Sequence, residues 1–407
     1  MTKYQRICLR LVLSFDPYQK TMMLEGWKTY KLGEIGSFFG GVTSIGKEDY
    51  GHGTPFLPYK NVYKNSKVDI NDLELMNVSA KDIEKRSCLL GDVFFTASSE
   101  TPDEVAMSSV LLDTVPKLTF NGFCKRFRIN DFNTLSPNFA RYLFRDKPFR
   151  RDIYQLATGD IRFNISQESL ASIEITIPNL LTQSRIATIL SSLDDKIELN
   201  LQMNKTLEAM AQAIFKEWFV DFRFPGFDGE LIDGLPKGWS EGILGDIMSF
   251  QNGKTSPKRD DTGNFPVYGA NGIIGFSNKT NAEEKVTVVG RVGSFCGSTY
   301  FAQTKSWVTD NAIIASPKIN SYCFTYIKLH CLRLNSFKVG SGQPLINQTI
   351  LSGIKTIIPD KVTLGLFEET ILPIFRKAET NKMQNVILIQ LRDRLMPKLL
   401  NGKIRVA

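Results

Sequence analysis

Between Leu180 and Phe222 the chain has no Gly or Pro, and its apolar residues recur at alternating steps of three and four. The seam reads Ile186, Leu190, Leu193, Ile197, Asn200, Asn204, Leu207, Ala211, Ile214 and Trp218. This spacing predicts a long helix that packs lengthwise on another helix. A second seam follows at a constant offset of 181: Phe367, Ile371, Ile374, Ala378, Asn381, Asn385, Leu388, Arg392, Leu395 and Leu399. Pro373 interrupts it and is expected to start or kink that helix. Two repeats in one chain favour a twofold relation, which makes the rods antiparallel. Asn200 and Asn204 are then expected to face Asn385 and Asn381. Buried Asn penalises slipped registers, so this quartet would set the coiled-coil register. The alternative is that these Asn face solvent on a twisted helix. About 35 helical residues span about 50 Å, on the order of one and a half turns of B-DNA.

The rest of the chain is also duplicated. GWKTYKLGEIGSFFGGVTS at Gly26–Ser44 and GWSEGILGDIMSFQNGKTS at Gly238–Ser256 share Gly, Trp, Leu-Gly, Ile, Ser-Phe, Gly and Thr-Ser without a gap. After each opening come short β-rich runs divided by turn residues. Strands are expected at Val93–Ala97, Ser109–Leu112, Phe123–Ile129 and Ala171–Ile177, with a helix over Asn138–Phe149. In the second half they are expected at Phe265–Tyr268, Lys285–Val289, Ser298–Phe301, Ala312–Ser316 and Ile354–Ile358, with a helix over Phe324–Leu334. The domains close alike: Gly159, Phe163, Asn164, Leu170, Ile173, Ile177 and Pro178 echo Gly342, Ile346, Asn347, Leu351, Ile354, Ile358 and Pro359, read with a two-residue gap. The fold class is therefore α+β: two α/β domains separated by two long helices forming an intramolecular antiparallel coiled coil, with a pseudo-twofold internal repeat. The expected boundaries are 1–24, 25–179 (first domain), 180–224 (central helix), 225–238 (linker), 239–359 (second domain) and 360–407 (distal helix and tail). Residues 1–24 read as an N-terminal arm or an over-annotated start, with translation beginning at Met22 or Met23.

Composition narrows the chemistry. The chain is 407 residues with a formal charge of +8 and two His. Ten Lys and Arg against four Asp lie between Val115 and Arg162, interleaved with Phe120, Phe123, Phe127, Phe139, Tyr142, Phe144 and Phe149. The first rod is acidic, with six Asp and Glu against four Lys and Arg. Cations in the domains rather than the rod suit a reader of phosphates, the other reading being a solvated face over core aromatics. The six Cys show no C-x-x-C pair, which predicts buried free thiols in a reducing compartment. No apolar run is long enough to span a membrane. Lys3, Arg6 and Ile7–Phe15 lack a cleavage site, so a signal peptide is rejected. Gly253-Lys254-Thr255 lacks the glycine-rich loop of a nucleotide site, and Asp16-Pro17-Tyr18 lacks a proline and a cofactor loop. With His52 and His330 alone, His-based metal clusters and Ser-His-Asp triads are not expected. No active site is predicted.

The duplicated arrangement resembles the specificity (S) subunit of type I restriction-modification enzymes over about residues 25–402. The resemblance rests on GWKTYKLGEI and GWSEGILGDI, on IPNLLTQSRIATILSSLDDKIELN with AIFKEWFVDF, and on RLMPKLLNGKI. GRVGSFCG at Gly290–Gly297 and GSGQPLIN at Gly340–Asn347 resemble elements of its target-recognition domains. Thr182-Gln183-Ser184 departs from the family's usual Glu-Gln. The resemblance implies a non-catalytic, cytoplasmic protein of a bacterium or archaeon. Each recognition domain would read one half of a bipartite asymmetric site on double-stranded DNA. The helices would dock two modification (methyltransferase) subunits for adenine methylation, and restriction (translocase/nuclease) subunits would join them. S-adenosylmethionine, ATP and Mg2+ would belong to those partners, with no cofactor or metal in this chain. Candidate DNA contacts are Lys60, Lys125, Arg126, Arg128 and Arg162 in the first domain, and Lys254, Lys258, Arg259, Asn271, Arg291 and Gln343 in the second. Phe215, Trp218 and Phe219 are the expected docking anchors. The competing readings are a coiled-coil scaffold without sequence-specific DNA binding, and a fused modification-restriction enzyme, whose motifs are absent.

Overall fold

The computed structural model describes residues 26–43, 46–101, 104–159, 163–260, 263–340 and 344–406. The two periodic runs form 40-residue helices, Leu180–Phe219 and Lys361–Leu400. Every predicted seam position on both is buried or half-buried. The central helix stops short of Phe222, whose left-handed φ of 53° breaks the ladder. The distal helix starts at Lys361, not at Pro373, because Asp360 caps it through Val362 N–H (2.8 Å) and Thr363 N–H (3.0 Å). Pro373 lies inside the helix on its exposed side. The carbonyl of Glu369 that it deprives of a partner is on an exposed residue, where solvent can take the bond.

The chain divides into two units, one of residues up to Ile197 with those from Val386, the other Glu198–Asn385. In each, a segment of the central helix pairs with a segment of the distal helix. In the first unit Asp194 Oδ1 accepts from Arg392 Nη1 at 2.8 Å, and Ile186 and Leu190 share a core with Leu399 and Leu400. In the second, Asn200 Nδ2 donates to Asn385 Oδ1 (2.8 Å) and Asn381 Nδ2 to Asn204 Oδ1 (2.9 Å). Asn204 Nδ2 also reaches the Ala378 carbonyl at 3.2 Å. Residue numbers rise on one helix as they fall on the other, so both pairings are antiparallel. The amides face the partner helix rather than solvent: Asn200 and Asn381 are fully buried.

Each domain is framed by its own ends. Lys28–Lys31 pairs antiparallel with Glu174–Ile177, and Ser240–Ile243 with Lys355–Ile358. Inside each frame is a four-stranded antiparallel sheet. Its order is Gly36–Gly40, Cys124–Ile129, Val93–Thr96, Ser108–Val110 in the first domain, and Met248–Asn252, Ala312–Pro317, Val286–Gly290, Thr299–Ala302 in the second. A three-stranded sheet follows in each, with one parallel pair: Tyr50–Leu57 beside Thr119–Phe120, and Phe265–Gly269 beside Trp307–Val308. The recurrent glycine of the opening motif has a steric cause. A Cβ on Gly41 would stand 2.2 Å from the Asn121 carbonyl, and one on Gly253 2.1 Å from that of Thr309. Only Gly lets these backbones approach so closely.

Three expectations are corrected. The helix read over Asn138–Phe149 is two, Pro137–Leu143 and Lys147–Leu156, the second opening with Pro148 in its first turn. The strand read from Ala171 begins at Glu174, because Gln167–Ser172 is helical and capped by Ser166. The two-residue gap in the closing motif is absent. Thr158 bridges Asn164 as Val339 bridges Leu345, and Ser166 caps the next helix as Asn347 does. The offset is thus already 181 at these positions. Of the predicted buried thiols, Cys88, Cys124, Cys296 and Cys323 are buried, Cys331 is exposed, and Cys8 lies outside the described residues.

Candidate nucleic-acid interface

Most of the arginine-rich stretch of the first domain is used internally. Arg126 is 1 % exposed and donates through Nη1 to the carbonyls of Ser87 (2.6 Å) and Arg86 (3.2 Å). Burial lowers its pKa. Arg128 is clamped on Asp92 by Nε (2.8 Å) and Nη2 (2.7 Å), which raises its pKa. Arg145 donates to the carbonyls of Ser108, Val62, Tyr63 and Asn65, and Arg150 to that of Ala106. Arg141 is held by Ser66 and Asp194. The expectation that Arg126 and Arg128 meet phosphate is therefore corrected: these guanidiniums satisfy buried backbone and carboxylate oxygens. The interleaved aromatics are core residues except Phe123, which is 62 % exposed. Lys60 is exposed on the helix Tyr59–Lys64, Lys125 is half-buried, and Arg162 lies outside the described residues.

In the second domain Lys254, Lys258, Arg259 and Asn271 are all exposed. Lys258, Arg259 and Lys279 border one depression with Ser277 and Asn278. Arg291 is half-buried, with Nη1 3.4 Å from the Asp310 carbonyl. Gln343 lies outside the described residues. Arg162 and Gln343 are separated by 181 positions and so hold equivalent places in the repeat.

The residues that follow these positions are anchored alike in both domains. In the first, Phe163–Asn164 pairs with Ser98–Ser99, and Ile165 N–H donates to the Ala97 carbonyl at 3.1 Å. In the second, Leu345 bridges Val292, and Ile346 N–H donates to the Arg291 carbonyl at 2.9 Å. The motifs GRVGSFCG and GSGQPLIN are thereby brought together. Beside each anchor is a cavity.

The two cavities differ in chemistry. The first, ≈ 500 Å³, is lined by Tyr59, Tyr63, Phe123, Ser98, Ser99, Glu100 and Glu104. Tyr59 and Tyr63 stack at 6.3 Å. Glu104 Oε1 accepts from Tyr63 Oη at 2.7 Å, and this bond, aided by Thr101 and Ser99, holds its carboxyl below the usual range. Burial raises the pKa of Tyr59, whose hydroxyl donates to the Ser98 carbonyl at 2.7 Å. The second, ≈ 470 Å³, is lined by Ser294, Ser298, Thr299, His330, Asn335, Arg333 and Lys338, among others. His330 Nδ1 and Thr299 Oγ1 are 2.9 Å apart. The first cavity offers acceptors and aromatic faces; the second offers cations and hydroxyls. Sequence reasoning missed Tyr59, Tyr63, Glu104, Arg333 and Lys338, whereas Phe123 was among the interleaved aromatics. The i, i+4 tyrosine pair was a readable signal; Arg333 and Lys338 carried none beyond their charge.

The expected docking anchors are also corrected. Phe215, Trp218 and Phe219 are buried, stacked edge-on or tilted against Phe324, Phe367 and Trp239. They join the central helix to the second domain and to the distal helix. The exposed apolar side chains of the helices are others, among them Ile189, Val386 and Ile387 in the first unit, and Leu199, Leu201 and Met383 in the second.

Residues 24–209 and 236–384 match the type I restriction modification DNA specificity domain. The chain belongs to that family. Its relatives include the type I restriction enzyme MjaIX specificity subunit of Methanocaldococcus jannaschii, 26 % identical over 93 % of this chain and 94 % of that one. The HindI specificity subunit of Haemophilus influenzae is 28 % identical over 59 % of this chain and 71 % of its own. The fold is shared with the crystal structure of a type I S subunit from M. genitalium, with a TM-score of 0.57 at 19 % identity, covering 92 % of this chain and 96 % of that one. Specificity subunits are the non-catalytic, DNA-recognising members of type I systems and assemble with the rest of the complex. Among the described residues no helix is long and apolar enough to cross a membrane.

Proposed function

We propose that this chain directs adenine methylation to a bipartite asymmetric DNA site, each recognition domain reading one half. The observation that carries the reading is one framework presenting two different cavities at equivalent loops. A carboxylate kept ionised by Tyr63 accepts from the amino group of cytosine, or of adenine, but not from guanine O6 or N7. Arg333 and Lys338 donate, and so favour guanine. Different linings mean different half-sites. Lys60, Lys254, Lys258, Arg259 and Asn271 are exposed and suited to phosphate or base edges, and Arg162 and Gln343, at equivalent places in the repeat, are proposed to join them.

The exposed apolar positions of the helices support docking of two modification subunits there, with restriction subunits joining the complex in the cytoplasm. S-adenosylmethionine, ATP and Mg2+ then act in those partners. The test is genome-wide mapping of methylated adenine in host cells with and without the gene. A bipartite motif that disappears with the gene is expected. Glu104→Gln should change only one half of that motif and Arg333→Ala only the other. Changes in both halves, or in neither, would count against the assignment.

The internal use of Arg126, Arg128, Arg141, Arg145 and Arg150 lends weight to the scaffold reading, since it removes cations from the surface. Salt decides between them. Specific binding should weaken linearly on a log-log plot, and a flat response would favour a scaffold.

A further inference from the structure

The first recognition domain is fixed to its helices by two polar contacts, one fully buried and one half-buried. Gln183, fully buried, accepts from Ser136 N–H at 2.9 Å and donates to the carbonyls of Thr134 and Pro178, each at 2.9 Å. It thereby meets the chain at the N-terminal end of the domain helix Pro137–Leu143. Near the other end of that helix, Asp194 Oδ2 accepts from Arg141 Nη2 (2.9 Å) and Tyr142 Oη (2.8 Å). Its Oδ1 accepts from Arg392 Nη1 of the distal helix at 2.8 Å. Between these points the contact is apolar, with Ile186, Ala187 and Leu190 in one core with Phe139, Ala140 and Leu143.

Gln183 and Asp194 are three helical turns apart, roughly 16 Å. Apolar surfaces alone hold loosely in register, because burial is non-directional. Two polar points specify one seating, since any slide leaves the buried Gln183 amide or the half-buried Asp194 carboxylate unpaired. The contacts are private to this domain: the repeat places Leu364 and Phe375 where these residues stand. There Glu368 accepts from Ser321 Oγ (2.8 Å) and Cys323 N–H (3.0 Å), while Phe375 meets Phe301 and Tyr326.

We propose that Gln183 and Asp194 are positioning residues that fix where the first recognition domain is seated on its helices, and through that seating the gap between the two half-sites. The proposal rests on the bipartite reading above. Neither side chain reads a base; each determines where the reader is held.

The experiment is adenine-methylation mapping in the native host carrying the full-length gene. The wild type should give one bipartite motif with one gap. Gln183→Ala and Asp194→Ala should keep both half-site sequences. Sites one base pair longer or shorter should rise about tenfold relative to the cognate gap, the factor that about one lost hydrogen bond would give. A merely structural role would lower methylation at every site alike and leave the gap unchanged. An unchanged gap in folded variants overturns the proposal, as does a changed half-site sequence. If Asp194→Ala fails to accumulate, Tyr142→Phe removes one hydroxyl from that carboxylate and decides by the same readout. A wild type without any gene-dependent bipartite motif would instead refute the bipartite reading, and the proposal falls with it.

Discussion

Arg126→Met separates a structural arginine from a phosphate-binding one. The guanidinium donates to two carbonyls, is 3.8 Å from Asp92 and lies over the Phe39 and Phe120 rings at 4.6 and 5.5 Å. Methionine fills much of the space but makes none of these bonds. Ser87 O keeps Arg128 Nη2 at 3.0 Å, and Asp92 keeps both its bonds to Arg128. What is lost is the bond to Arg86 O and a share of the one to Ser87 O. Hydrogen bonds from charged groups contribute about 1.5–3 kcal/mol each, offset in part by the guanidinium's own desolvation. A net destabilisation of about 2 kcal/mol follows, confined to the first domain. Hydrogen exchange on the intact protein reads this locally. Amides of Val93–Thr96 and Cys124–Ile129 should exchange about thirtyfold faster, with Val286–Gly290 and Ala312–Pro317 unchanged as the internal reference. DNA affinity at fixed salt should change little, and the log-log salt slope not at all. Unchanged exchange with a slope reduced by about one would refute the reasoning, because it would mean that Arg126 neutralises a phosphate.

Three further outcomes are expected. Asn200→Leu with Asn385→Leu should leave the helices folded, or raise their melting temperature, while removing the penalty on slipped registers; disulfide trapping of cysteine pairs placed one heptad out of register measures this, and a variant trapped only in register would contradict it. Trp218→Ala should cost about 3–5 kcal/mol, as large aromatic truncations in a core do, and expose Phe367 and Phe219 in the second unit; an unchanged melting temperature with impaired assembly would instead restore it as a docking anchor. Glu104 has a depressed carboxyl pKa, so its stabilising bond to Tyr63 is fully present above the ordinary glutamate value of about 4.3 and is lost as pH falls through the lower folded value. Glu104→Gln should therefore be less stable than wild type at neutral pH and converge with it in strong acid, and parallel acid-unfolding curves would disprove the linkage.

What was legible in the sequence was whatever a period can carry. Every seam position that the heptads named is buried or half-buried, Asn quartet included, because side-chain direction on a helix follows from spacing alone; the positions that face the domains instead, such as Gln183 and Phe375, lie off the seam. The Gly-Trp openings located both domains because the motif recurs whole, with Gly41 and Gly253 each answering the same close backbone approach. The destiny of the arginines was not legible. Arg126 and Arg128 alternate with core residues on a strand, which read as a face that meets phosphate, yet the carbonyls of Arg86 and Ser87 and the carboxylate of Asp92 arrive from about forty positions away. Such long-range pairing leaves no trace in the spacing. Phe215, Trp218 and Phe219 failed for the opposite reason: a dense aromatic cluster reads as a docking surface or as a core, and only their contact with Phe324 and Phe367 decides.

The duplication itself shows where selection was free to act. Gly26 and Gly238 are 212 positions apart, but Ile165 and Ile346 are 181 apart, so the first domain is 31 residues longer, with the whole difference lying before Thr158. Between the strand Tyr50–Leu57 and the strand Val93–Thr96 the first domain carries the helices Tyr59–Lys64 and Ala80–Arg86. The second places the hairpin strand Gly272–Ser277 in the corresponding interval. Tyr59 and Tyr63, which line the first cavity, therefore come from the added segment. From Thr158 onward the offset never changes, through the closing strand and the whole seam. A length change in the helix would rotate every later seam position by 100° per residue and expose its apolar stripe. A length change in the domain only alters what lines a cavity. The same physics that freezes the helices thus leaves the recognition surface open to variation, and two unlike half-sites are the expected product.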